Sequence, residues 1–362
     1  MNRISRLSVA CLAVLGLTLA VPARAHAQAA PPGEPLVIKV GTLAPAGTAW
    51  HDALQEVGAK WKKASGGQIT FTIFDGTQGD EADMIRKMRG GSLQMGAFTT
   101  VGLETIAKDL SALWIPLLFQ NYDELDYVRG KIDGRMEKAL ADKGFVVLNW
   151  GDAGWVKYFG VKPIPNLKAL QALKLFVWSG SSEAEEMYKD AGFKIEPAAT
   201  TDILMYLRRG RIEAFPAPAT MAYANQWFGL ALNMMDIKFA PVVGATIITK
   251  AAWDKIDPKL RPTLLTLARE TGAKYTPRIR GLESDAIAAM VKHGLQIQTL
   301  TPQAEQEWQQ TAQKFYPKIR GTIVPADLFD EVRRLVMEYR AQKKAEPVIT
   351  PEPAKKPAPV KK

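Results

Sequence analysis

The 362-residue sequence predicts an α/β fold of two open, parallel-sheet units with a cleft between them, and three observations carry that prediction. Apolar runs of strand length alternate with amphipathic helical stretches between residues 38 and 98, the pattern restarts after residue 119, and loops rich in small residues follow the strand ends. In open parallel sheets ligands sit beyond the carboxyl ends of the strands, so those loops mark the expected site.

In chain order, IKVGTL (38–43) reads as a strand, and Leu54, Val57 and Trp61 mark one face of a helix that stops at Gly66-Gly67. ITFTIF (69–74) is a second strand; Met84, Ile85 and Met88 mark a helix ending at Gly90-Gly91, and LQMGAF (93–98) is a third strand. After LWIPLLF (113–119) a helix over 122–140 leads to the strand FVVLNW (145–150). LKLFVW (173–178), a helix over 182–191, FKIEPA (193–198), the helix TDILMYLRRG (201–210) and IEAFPA (212–217) follow, and KFAPVVGATIIT (238–249) returns as a strand. Asp257-Pro258 and Thr301-Pro302 read as N-cap and first-turn pairs of C-terminal helices. Leu328, Val332, Leu335 and Val336 give the last helix an apolar stripe that suits core packing.

The ends of the chain are of other kinds. Arg3 and Arg6 precede an apolar stretch, 7–21, then Pro22 and small-residue cleavage options, which is the order of a secretory signal peptide over 1–27 and predicts an exported, soluble protein. The stretch is short for a membrane span. Residues 343–362, KKAEPVITPEPAKKPAPVKK, read as a disordered Pro/Lys-rich tail. Of the formal net charge of +10, the tail supplies four and the signal three, so the body is near +3 and a nucleic-acid partner is not expected.

Cys11 is the only cysteine, and His51 and His293 are the only histidines beyond the signal. No cofactor or metal is expected, and neither phosphate-loop motif is present. An enzymatic reading would use Ser179, Ser181 or Ser182 as nucleophile with Glu183 or Asp152 as acid-base groups. Nothing in the sequence supplies the base that such a serine needs, so no enzyme is expected.

The run GGQITFTIFDGTQGDEADMIRKMRGGSLQMGAF, then LSALWIPLLFQNYDEL, then ALKLFVW and a helix ending LRRGRIEA, resembles the periplasmic solute receptors of tripartite ATP-independent periplasmic (TRAP) transporters, of the dicarboxylate-receptor type. The resemblance spans about residues 36 to 320. It implies a two-lobed, hinge-closing periplasmic-binding-protein fold (type II-like), with hinge strands and a long helix bracing both lobes. It also implies two integral membrane transporter components as partners, and leaves room for a periplasmic helical-repeat accessory protein. On this reading lobe 1 is 36–150 with about 240–270, lobe 2 is 151–239, and 271–342 are the bracing helices.

Expected ligand contacts come from the loops TLAPAGTAW (Thr42, Trp50), TTVG (Thr99, Thr100), GDAGW (Trp155) and WSGSS (Trp178, Ser179), with Phe215 in FPAPAT and Tyr223 and Asn225 beyond it. Where the family places a carboxylate-gripping arginine in Lys-Ile-Arg-Val, this chain has Phe176; a second family arginine falls at Val156 or Lys157. A buried carboxylate lacking a partner costs several kcal/mol, whereas an apolar group packed on Phe176 or Trp178 gains about 1.5–3 kcal/mol. The expected ligand is therefore uncharged or largely apolar. Two alternatives stand beside it: an organic-acid receptor in which Lys157 replaces the arginine, and an envelope interaction protein docking through the basic tail. Phe176 is expected to line the cleft, with lobe core as the alternative reading.

Overall fold

The computed structural model describes residues 34–345; the expected signal peptide and all of the tail beyond residue 345 lie outside them. The first lobe opens with β1 (Leu36–Thr42), α1 (Ala49–Ala64), β2 (Ile69–Asp75), α2 (Glu81–Arg89), β3 (Met95–Thr99) and α3 (Thr100–Leu103). A 3₁₀ helix, Lys108–Trp114, and α4 (Tyr122–Ala141) lead into β4 (Phe145–Gly160). Then come α5 (Leu167–Gln171), β5 (Lys174–Trp178), α6 (Ser182–Asp190), β6 (Lys194–Ala198), α7 (Ile203–Arg208), β7 (Ala214–Pro218) and α8 (Ala219–Ala224). The chain ends in β8 (Asn233–Asp236), β9 (Pro241–Thr249), α9 (Lys250–Trp253), α10 (Arg261–Lys292), β10 (Gln296–Thr299), α11 (Pro302–Thr322) and α12 (Ala326–Ala345).

One twisted sheet runs β2-β1-β3-β9-β4-β7-β5-β6. Its outer parts are parallel, as the strand-helix alternation predicts: β1 pairs with β2 and β3, and β5 with β6 and β7. The centre is antiparallel, because β9 returns between β3 and β4. The sixteen-residue β4 is the strand that crosses between lobes. Its Phe145–Trp155 part pairs with β9, and its Val156–Gly160 part pairs with β7. The expected boundary at 150/151 thus falls inside a continuous strand. The Gly-Asp-Ala-Gly stretch that suggested a loop is absorbed by an irregularity between Asp152 and Gly154, the second in this strand after one between Val147 and Asn149. Gly154 has φ 110°, and a Cβ there would stand 3.3 Å from the Pro218 side chain, so both conformation and space call for glycine.

The helices brace this frame. Leu264 and Ala268 of α10 pack with Trp61 and Val57 in lobe 1, whereas its Met290 packs with Phe159, Phe176 and Phe215 in lobe 2. Helix α10 is the long brace expected, but it starts ten residues before 271. Asp257-Pro258 is not its cap: the Asp257 carboxylate accepts from the Lys259 amide in a turn ahead of Arg261. Thr301-Pro302 does open α11, with Thr301 Oγ1 accepting from Ala304 N at 3.2 Å. The 201–210 stretch is split, a 3₁₀ turn (Thr200–Asp202) preceding α7. The stripe of Leu328, Val332, Leu335 and Val336 is buried in the largest core cluster. Helix α12 continues through Ala345, so Lys343 and Lys344 belong to it and not to the tail.

Candidate functional site

The lobes meet across a narrow cleft at the carboxyl ends of β1, β3, β5 and β7. Lobe 1 contributes Leu43, Glu81, Thr99, Val101 and Trp114; lobe 2 contributes Trp178, Thr200, Ile203 and Met221 among others. Three of the contacts that bridge the lobes lie beside this cleft. Asp80 caps α2, accepting from the Glu81 amide through Oδ1 at 2.9 Å, and its Oδ2 accepts from the Thr200 amide at 3.1 Å. The Trp114 and Trp178 rings meet edge to face at 5.7 Å, and Lys108 stands 3.7 Å from Glu183. The cleft between them encloses only about 20 Å³.

Two larger cavities of about 140 Å³ adjoin it. One, the α10 chamber, lies against α10 and shares Leu43, Glu81, Thr99 and Met221 with the cleft. The other, the α11 chamber, lies between α6 and α11 and shares Val101, Trp114 and Trp178 with the cleft.

Six of the expected contacts line these spaces. Thr42 and Trp50 line the α10 chamber, Trp50 donating from Nε1 to the Asp152 carbonyl at 2.9 Å, and Asn225 lies at the same chamber. Thr99 borders both that chamber and the cleft. Trp178 stands between cleft and α11 chamber, its Nε1 donating to Thr200 Oγ1 at 3.2 Å, and Ser179 follows it.

The other six do not line any of the three cavities. Phe176 has no exposed surface and packs with Phe159, Phe215 and Trp227 in the lobe-2 core; Phe215 is equally buried, stacked on Phe159 at 5.2 Å. The expected alternation along β5 holds, with Leu175 and Val177 in one cluster and Phe176 in another, but both faces of this inner strand are covered. Only the last residue, Trp178, emerges at the cleft. Trp155 is buried against Tyr122, and Thr100 spends its hydroxyl on the Val243 carbonyl. Tyr223 is half-exposed, with its ring on Phe228. Lys157 is buried and already engaged, with Nζ 2.6 Å from Asp236 Oδ1 and 3.4 Å from Glu283 Oε1.

A residue lining the cleft that sequence reading missed is Glu81. Its carboxylate accepts from Thr99 N, Thr99 Oγ1 and Gly102 N at 2.7–2.8 Å. Burial nevertheless outweighs those donors and pushes the carboxyl up to about 7. Glu104, in the α11 chamber with Ser111 donating to it at 2.9 Å, is likewise pushed up to about 7 by burial. The sequence signal for Glu81 was slight: an acidic first turn after a capping aspartate normally reads as exposed. Thr99 and the close approach of Gly102, where a Cβ would meet the Glu81 side chain, cover it.

The serines show no activated nucleophile. Ser181 Oγ accepts from Ala184 N as the cap of α6, Ser182 is bonded to Glu183, and Asp152 is held by Arg280 at 2.6 Å and Arg129 at 3.3 Å. Among the described residues no cluster of three or more His, Cys, Asp or Glu could hold a metal ion, and no helix is long and apolar enough to cross a membrane.

The sequence profile of bacterial extracellular solute-binding protein, family 7, matches residues 40–321. The 2,3-diketo-L-gulonate-binding periplasmic protein of Escherichia coli (strain K12) is 22% identical over 257 residues, 69% of this chain and 76% of that relative. Among solved structures, the TRAP periplasmic solute-binding protein of Ralstonia eutropha H16 with bound (S)-2-acetolactate superposes with a TM-score of 0.78 at 19% identity, covering 83% of this chain and 99% of that one. That of Sulfurospirillum deleyianum with bound succinate gives 0.76 at 19% identity, covering 83% and 98%. At such identities the likeness establishes the two-lobed fold, and the ligands are those of the relatives.

Proposed function

The chain belongs to family 7 of the bacterial extracellular solute-binding proteins, TRAP-type receptors that bind small molecules and hand them to membrane transporter components without chemical change, and within that family we propose that its own ligand is uncharged and largely apolar. One observation carries the proposal. None of the described residues lining the cleft or its two chambers is lysine, arginine or histidine, while Glu81 faces the cleft. A ligand carboxylate held there would lose its water without gaining a counter-ion, a cost of several kcal/mol. Trp114, Trp178, Leu43 and Met221 instead offer rings and alkyl groups. Closure would bury the ligand between lobes, and release would occur at the transporter, with a helical-repeat accessory protein as a further proposed partner.

The acids bound by the relatives favour a second reading, in which Lys157 leaves Asp236 and Glu283 to grip a carboxylate. Thermal-shift titration of the purified protein against succinate, acetolactate and uncharged aromatic compounds, repeated on Lys157→Met, separates the two. We expect uncharged compounds alone to raise the melting temperature, and the variant to retain that response. Stabilisation by the acids, lost in Lys157→Met, would overturn the proposal.

A further inference from the structure

We propose that the α11 chamber is a subsite for the apolar end of an elongated, uncharged ligand whose other end lies in the cleft; the inference rests on the uncharged-ligand reading above. Helix α6 supplies the first observation. Ala184, Met187, Tyr188 and Ala191 recur at the i, i+3, i+4, i+7 spacing of an apolar helix face, and all four line the chamber. Yet none of the residues of α6 is buried. Met187, Tyr188 and Ala191 pack only in part against the core cluster, and the stripe's remaining surface borders the chamber, where an apolar guest would complete its burial.

The opposite walls fit a ring or a branched alkyl group. Trp308 of α11 stacks on Tyr158 at 5.5 Å and lies 5.9 Å from Phe239 and 6.4 Å from Phe193, which makes an aromatic floor. The volume of about 140 Å³ is close to that of an apolar protein cavity of about 150 Å³ that admits benzene. Glu104, held near neutrality by burial, adds a polar point without requiring a cationic guest. The chamber lies on the Val177 face of β5, opposite Phe176, and the Trp114–Trp178 pair borders both it and the cleft. A chain passing that pair therefore reaches from one space into the other.

Titration calorimetry with a series of alkyl phenyl ketones, acetophenone to octanophenone, tests this. The expected result is an affinity that rises about fourfold per added methylene until the chamber is full. Ala184→Trp, on the half-exposed face of α6, fills the chamber and should abolish the chain-length dependence; Thr311→Phe fills it from α11 and should do the same, so one misfolded variant leaves the test intact. Leu43→Trp blocks the cleft and should weaken every member of the series. Chain-length dependence unchanged in both chamber variants, with Leu43→Trp still weakening binding, would overturn the subsite and leave the cleft reading standing. Ketones that fail to bind while succinate binds would overturn the cleft reading and the subsite with it.

Discussion

Replacing Phe176 by alanine removes a ring that has no exposed surface and touches aromatic neighbours on several sides. Its centroid lies 5.5 Å from Trp178, edge to face, and Phe159, Phe215 and Trp227 share its cluster. The neighbours sit on β4, β7 and a 3₁₀ helix (Trp227–Leu230), so no single side chain can relax into the gap. A cost at the usual level for a buried phenylalanine, about 3–5 kcal/mol, is expected, which for a chain of this size lowers the melting temperature by on the order of 10 °C. Since the ring lines no part of the cleft, the folded fraction should bind its ligand with less than about a threefold change, under ~0.7 kcal/mol. Phe176→Arg is more severe, because a guanidinium forced among those rings has no partner. Differential scanning calorimetry together with ligand titration on Phe176→Ala decides the matter. An unchanged melting temperature with a tenfold or greater loss of affinity would refute the assignment of this ring to the core.

Two further perturbations follow from polar groups in and beside the cleft. Burial raises the Glu104 carboxyl from 4.5 to about 7, so the folded state holds a proton that the unfolded chain releases. Stability should then fall as pH rises from about 4.5 to about 7, by on the order of 3 kcal/mol; Glu104→Gln should flatten that decline in urea melts, and an identical pH profile in the variant would reject it. Asp80→Ser keeps a hydroxyl cap on α2 but is too short to hold the Thr200 amide across the cleft. Small-angle scattering of the unliganded variant should show a larger radius of gyration, and a profile superposable on that of the parent would show that this contact does not hold the lobes together.

The alternation of strands and helices was legible because it is local: Leu54, Val57 and Trp61, or Leu328 and Val332, repeat at helical spacing whatever surrounds them, and all are buried. What escaped the sequence depends on distant partners. The Gly-Asp-Ala-Gly stretch at 151–154 carries loop residues, yet pairing with β9 holds it in the strand that joins the lobes. Lys157 read as the available cation because its partner Asp236 is 79 residues away, and no spacing rule connects them. Phe176 and Trp178 point to the same side of β5, so periodicity could not separate them; distance along the strand does, since only its carboxyl end reaches the cleft.

That separation changes what supports the ligand assignment. Phe176 lies in the lobe core, where a cation would be unpaired, so the residue at this position says nothing of the cleft, which an arginine could reach from elsewhere. The stronger ground is that among the described residues no replacement reaches the lining: Arg129 and Arg280 are bound to Asp152, Lys157 to Asp236 and Glu283, and the ionisable side chain that does line the cleft is the carboxyl of Glu81. Freeing any of those cations for an acid would leave a buried or half-buried carboxylate behind, Asp152 most severely, since its side chain is only 1% exposed. An acid would thus have to offset the desolvation of its own charge and of the one it displaced, whereas an uncharged ligand meets neither cost and gains the rings of Trp114 and Trp178 as its walls.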